Sequence, residues 1–146
     1  MYLLDTNIVA MLDPRRHAVA PNVTAWLRRN GASLFVSVIT ITEMDAGVLK
    51  LRRTKKFKRA DELDGLVTTI LSDFAGRVLA VDLETARHVA SLGEFTYRQP
   101  VSFPDLIVAA TAIRHGLTVF THNMSEFGRL GIKAHDPFIE LPLDIV

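Results

Sequence analysis

Residues 103–123 read FPDLIVAATAIRHGLTVFTHN. Residues 103–115 read as a helix, and Gly116 supplies the glycine that commonly closes one. Residues 117–120, LTVF, then read as a short buried strand. The polar Thr121, His122 and Asn123 follow at once. A helix that passes through one glycine into an apolar strand predicts an α/β unit.

The same alternation extends outward in both directions. Residues 2–4 read as a strand, and residues 6–12 show helical spacing that Asp13-Pro14 stops. Pro21-Asn22 opens a second helix with Trp26 and Leu27, and Asn30-Gly31 reads as its end, with Gly31 as the cap. Residues 34–36 read as a strand, 40–51 as a helix and 56–74 as a longer helix that Gly76 ends. Residues 78–81 read as a third strand, and Asp82 caps a helix over 83–95. After residue 123 come a helical turn near 125–130 and a last strand, at 132–135 or 138–141. Neither linker nor repeat interrupts the pattern. It predicts one α/β domain over residues 1–146, with a mostly parallel sheet of four to five strands covered by helices.

Composition supports a packed chain. Of 146 residues, 49% are hydrophobic and 23% charged, enough apolar material for a core. There are no cysteines, which excludes disulfides and thiolate chemistry and fits a reducing compartment. No stretch approaches eighteen apolar residues, and no basic, then apolar, leader opens the chain. The expectation is a soluble, cytoplasmic, unprocessed protein with no membrane contact. Net charge is +1, yet residues 50–59, KLRRTKKFKR, hold seven basic residues and no acid. That block either attracts a polyanion or forms a solvated face whose charges meet Asp61, Glu62 and Asp64.

Four acids fall near predicted strand ends or helix starts. Asp5 follows the first strand, Glu43 the second and Glu126 the fourth, while Asp105 opens the helix before the fourth. Ligands of open α/β sheets bind at the carboxyl ends of the strands. Each acid has a plain alternative. Asp5 can cap a helix, Thr40 with Glu43 and Ser102 with Asp105 fit capping boxes, and Glu126 suits a first turn. Helix starts accept Ser, Thr or Asn equally well, however, and four converging anions repel unless a cation sits among them. Such a set suits a hard divalent ion with oxygen ligands. The five histidines (17, 88, 115, 122 and 135) are scattered and read as surface or cap residues, with no zinc pair.

On these residues the chain resembles the PIN-domain ribonucleases, in particular the VapC-type toxins of VapBC toxin–antitoxin systems. LLDTNIV (3–9), SVITITEMDAGV (37–48), the stretch 103–123 and SEF (125–127) carry the resemblance. It implies a PIN-like three-layer α/β/α fold. It also implies that Asp5, Glu43, Asp105 and Glu126 bind Mg²⁺, with Mn²⁺ as a substitute, and act in catalysis. Glu126 departs from the family's usual Asp by one methylene, which makes its site the least regular. Thr6, Asn7, Thr121 and Asn123 match small polar positions that support the acids. His122 stands where relatives commonly carry a basic residue, and nothing else in the sequence gives it a role.

The implied reaction is endonucleolytic hydrolysis of RNA by an ion-activated water. Lys50, Arg52, Arg53, Lys55 and Lys56 are the candidate contacts to the RNA backbone. The implied partners are an RNA substrate, a VapB-type antitoxin and a second copy of the chain, with Leu63, Leu66 and Ile70 as an apolar face for a homodimer. Two other readings remain open: a PIN-domain nuclease of RNA processing, and a non-catalytic module whose acids only cap helices.

Overall fold

The computed structural model describes residues 1–145. Five short strands form one sheet: β1 (Tyr2–Leu4), β2 (Leu34–Ser37), β3 (Val78–Leu79), β4 (Thr118–Phe120) and β5 (Ala134–His135). Every neighbouring pair is parallel, and the order is β3-β2-β1-β4-β5. Of the two sites expected for the last strand, residues 134–135 form it and residues 138–141 do not.

Seven helices connect the strands: α1 (Thr6–Val9), α2 (Pro21–Arg29), α3 (Val38–Arg53), α4 (Phe57–Asp73), α5 (Leu83–Phe95), α6 (Phe103–His115) and α7 (Met124–Arg129). They divide between the two faces of the sheet. Successive strand side chains point to opposite faces, so β1 sends Leu4 into one core and Leu3 into the other. The first core joins Leu4, Leu34, Val36 and Phe120 to Ile8, Trp26, Met44, Val67, Ile70 and Phe74 of α1 to α4 and the turn after α4. The second joins Leu3 and Val119 to Leu92, Leu106, Val108, Ala109 and Phe127 of α5 to α7. Three layers result, as expected. Strands buried on both sides read as short apolar runs, as in LFV of β2 and VF of β4.

Local chemistry sets the helix ends. Asp82 caps α5 by accepting from Thr85 N at 2.8 Å. Gly116 closes α6 in the left-handed conformation, φ +63°, where a β-carbon is disfavoured. Gly31 behaves otherwise. It opens a 3-10 turn, and Asn30 at φ −100° ends α2. The helix expected at 40–51 begins earlier, at Val38, because Ser37 caps it by accepting from Ile39 N at 3.3 Å. Leu66 and Ile70 are buried in the first core, and Leu63 packs against it. Those three residues therefore do not form a free face for a second copy. Among the described residues, no helix is long and apolar enough to cross a membrane.

Candidate active site

The sheet topology selects one edge. β1 connects outward through β2 to β3, and the chain then returns to place β4 on the other side of β1. The reversal point lies between β1 and β4, where ligands of open α/β sheets settle. Asp5 and Thr121 follow these two strands directly, and Leu4 pairs with Phe120 in the ladder. Asp5 N donates to Phe120 O at 3.0 Å, which fixes the backbone beneath the carboxylate.

Asp5 caps α1 and is buried. Its Oδ1 accepts from Thr6 N at 2.8 Å. Its Oδ2 accepts from Thr121 Oγ1 at 2.8 Å and from Asn7 Nδ2 at 3.1 Å. A carboxylate offers about four lone-pair sites, so Oδ1 keeps one open. Burial pushes the Asp5 carboxyl above its usual range, and the charge of Glu43 adds to the rise, although Thr121, Thr6 and Asn7 all oppose it. Capping and a functional role coexist here, since the cap contacts use only part of the carboxylate.

Glu43 does not take part in a capping box. With α3 starting at Val38, it lies in the second turn, exposed, and its Oε1 accepts from Thr6 Oγ1 at 2.6 Å. Thr6 thus bridges Asp5 and Glu43. Ser102 does cap α6, accepting from Asp105 N at 3.3 Å. Burial also raises the Asp105 carboxyl, against a hydrogen bond from Ser102, and the charges of Asp5 and Glu126 raise it further. Glu43, Asp5, Asp105 and Glu126 therefore form one electrostatically coupled series along this edge. It is an open series. Among the described residues, no three acidic or histidine side chains are gathered closely enough to hold an ion by themselves.

Glu126 is paired with Arg129 one turn along α7, so a cation already partly neutralises it. Thr6, Asn7 and Thr121 each donate a hydrogen bond to the Asp5 carboxylate. Asn123 contributes through its backbone, donating N–H to Thr121 Oγ1 at 2.9 Å, while its side chain accepts from Ser125.

The donor set fits a hard divalent cation. All candidate ligands are carboxylate oxygens, two of them are hard to ionise alone, and a cation relieves both burial and repulsion. Mg²⁺ typically takes only one or two carboxylates and completes its shell with water. An open series of acids suits that habit better than a closed cage would.

The basic block divides into paired and free-standing charges. Arg52 donates to Asp61 at 3.2 Å and to Asp64 at 3.1 Å, so it serves the α3–α4 hairpin. Lys50, Arg53, Lys55 and Lys56 are exposed at the far end of α3 and in the turn after it. A cavity of about 460 Å³ beside the acids is lined by Thr6 and Glu43 and also by Arg15, Arg16 and Arg59. Arg15 is held by Asp13 and Glu62. Arg16 and Arg59 are exposed. Sequence reasoning missed Arg16, whose only signal was the Arg15-Arg16 pair after a helix-stopping proline.

The PIN-domain family profile matches residues 2–133. The chain belongs to the PIN-domain family. Among its relatives in that family, Toxin FitB of Neisseria gonorrhoeae is 33% identical over 141 residues, covering 94% of this chain and 99% of the relative. A VapC ribonuclease of Sinorhizobium fredii is 31% identical over 144 residues, covering 94% and 98%. The crystal structure of FitAcB from Neisseria gonorrhoeae superposes with a TM-score of 0.74 at 31% identity, covering 94% of this chain and 99% of that one. A VapBC2 complex of Rickettsia felis bound to a promoter DNA fragment superposes at a TM-score of 0.70 with 18% identity, a likeness of fold. The likeness to the FitAcB structure extends over nearly the whole chain and includes the helix-covered sheet described above.

Proposed function

We propose that this chain is the ribonuclease toxin of a VapBC-type toxin–antitoxin pair, cutting RNA internally with the help of Mg²⁺ or Mn²⁺. The observation that carries this reading is the placement of Asp5 and Asp105 at the β1–β4 edge, where burial raises both carboxyls and the charge of Asp5 adds to the rise at Asp105. The full-length similarity to a VapC ribonuclease and to Toxin FitB supports it. We read residues 1–146 as one such domain.

Asp5 and Asp105 would hold the ion, with Glu43 and Glu126 engaging it through water. A bound divalent ion supplies Lewis acidity, which acidifies a water and neutralises charge on the phosphodiester. The chain's own residues do the rest. Thr6, Asn7 and Thr121 fix the Asp5 carboxylate so that its open lone pair faces the edge. Glu43 keeps Oε2 available to orient the attacking water and accept its proton, because Thr6 occupies only Oε1. Arg16 and Arg59, beside Glu43, and the exposed Lys50, Arg53, Lys55 and Lys56 hold the RNA backbone. Arg52 is left out of that set by its carboxylate partners. A VapB-type antitoxin is the partner that would restrain the enzyme. For pairing with a second copy we favour the exposed Phe95, Tyr97 and Phe103, at the end of α5 and the start of α6.

Purified protein should cut single-stranded RNA with Mg²⁺ or Mn²⁺, and EDTA should stop it. Asp105→Asn should lower the rate by at least about a hundredfold, the scale of a lost electrostatic contact in catalysis, with its melting transition intact. Equal cutting by Asp105→Asn and wild type would sink the mechanism. Absence of any cutting would favour the non-catalytic module.

A further inference from the structure

The segment after β4 presents an imidazole that the acid series leaves unused. His122 Nδ1 lies 2.9 Å from Asp136 Oδ2. The Asp136 side chain is 5% exposed, whereas that of His122 is 66% exposed. Asp136 Oδ1 accepts from Phe138 N at 2.9 Å, so the carboxylate is fixed through both oxygens. An ionised carboxylate only accepts, so Nδ1 carries a proton towards it and Nε2 is left facing outward. Phe138 packs edge-on against the ring, with centroids 5.1 Å apart. The ring's position and its tautomer are both defined before any ligand arrives.

The same residue is tied to the acid edge. His122 N donates to Asn7 Oδ1 at 3.2 Å, and Asn7 Nδ2 donates to Asp5 Oδ2 at 3.1 Å. A single side chain therefore separates His122 from Asp5. Here the acid is hidden and the imidazole is presented, which is the arrangement of a ligand-binding histidine with an orienting carboxylate. With Nδ1–H on Asp136, the second proton of an imidazolium sits on Nε2, and the outward N–H is then a donor that a phosphate oxygen can accept from.

We propose that His122 Nε2 binds a phosphate of the RNA strand lying across the acid edge, and that Asp136 is the positioning residue that aims it. The proposal rests on the ribonuclease reading above. No bond is made or broken at the imidazole. It holds the strand in register with Asp5.

Cleavage kinetics of single-stranded RNA at several salt concentrations test it, using the full chain and the variants His122→Gln, His122→Arg and Asp136→Asn. Loss of one charge-assisted hydrogen bond should raise KM roughly tenfold in His122→Gln, with kcat changed less. The slope of log affinity against log salt should shrink by about 0.7, the value of one phosphate contact on a single strand. Asp136→Asn should give a smaller rise in KM, and His122→Arg should recover most of the binding and the slope. An unchanged KM and slope in His122→Gln would overturn the proposal while leaving the ribonuclease reading intact. Equal losses in His122→Gln and His122→Arg would overturn it too, because a structural link, not a cation, would then be what was removed. A wild type that cuts no RNA would overturn the ribonuclease reading, and this proposal with it.

Discussion

The Asp5 carboxylate accepts three hydrogen bonds and is still harder to ionise than a free aspartate, because burial outweighs them. The sign of its effect on stability follows. Between the ordinary value of 3.8 and the raised native one, the folded chain keeps a proton that the unfolded chain has released. Stability therefore falls as pH rises through that window, and the metal-free protein carries the cost at every higher pH. Asp5→Asn removes this ionisation. Melting temperatures of metal-free wild type and Asp5→Asn, measured from pH 3.5 to 7, should converge at the acid end, apart from a constant offset. The wild type should lose ground relative to the variant as pH rises; parallel curves would contradict the burial argument. At this scale the sequence was informative where a residue had few other uses. A Thr, an Asn and a second Thr beside a strand-end acid have little to do except bond to it. It misled at Glu43, because Thr40 made a plausible cap. Ser37 was the stronger competitor, since it both ends β2 and starts α3. It was silent on Asp136, whose meaning depends on His122 lying across a fold contact.

Element ends show how local rules succeed and fail. Gly116 and Gly31 both follow helices and read alike in sequence. Gly116 adopts φ +63°, whereas Gly31 does not need positive φ. Neither position has a neighbour that an added β-carbon would strike. The backbone alone should then decide the outcome. Gly116→Ala should cost about 1 kcal/mol, lowering the melting temperature by roughly 2–4 °C. Gly31→Ala should be neutral or slightly stabilising, because it reduces the freedom of the unfolded chain. Thermal denaturation of the two variants side by side reads the difference, and equal losses would refute it. The basic block teaches a similar point about elements. Seven charges in ten residues suggested one polyanion surface, but a helical hairpin brings Asp61 and Asp64 back to Arg52. Arg59 from the same block reaches the cavity beside Glu43 instead.

At the scale of the molecule, both cores meet on strands of two to four residues, so a few side chains hold the sheet together. Phe120 is fully buried and packs against Tyr2 and Trp26, with ring centroids 4.6 and 5.1 Å away. It also precedes Thr121, the partner of Asp5. Phe120→Ala should cost about 3–5 kcal/mol, a large share of the roughly 5–15 kcal/mol that stabilises a typical domain. Urea unfolding should show a midpoint far below that of wild type; a shift under 1 kcal/mol would mean the site edge is not anchored there. The alternation of helices with apolar triplets made a helix-covered parallel sheet legible. The order β3-β2-β1-β4-β5 was not, because three of its four pairings join residues more than thirty positions apart and leave no local trace. The dimer face drawn from Leu63, Leu66 and Ile70 failed for a related reason. Apolar spacing shows that a helix face is buried but not against what, and here the first core covers it.

The reversal of strand order next to β1 is what makes Asp5 and Asp105 neighbours, so the central claim is that a divalent ion binds between them. Crystals soaked in Mn²⁺ and measured at the manganese absorption edge test it most directly. An anomalous peak is expected within coordinating distance of the Asp5 and Asp105 carboxylates, absent from Asp105→Asn crystals. A peak elsewhere, or none in a protein that still cuts RNA, would contradict it.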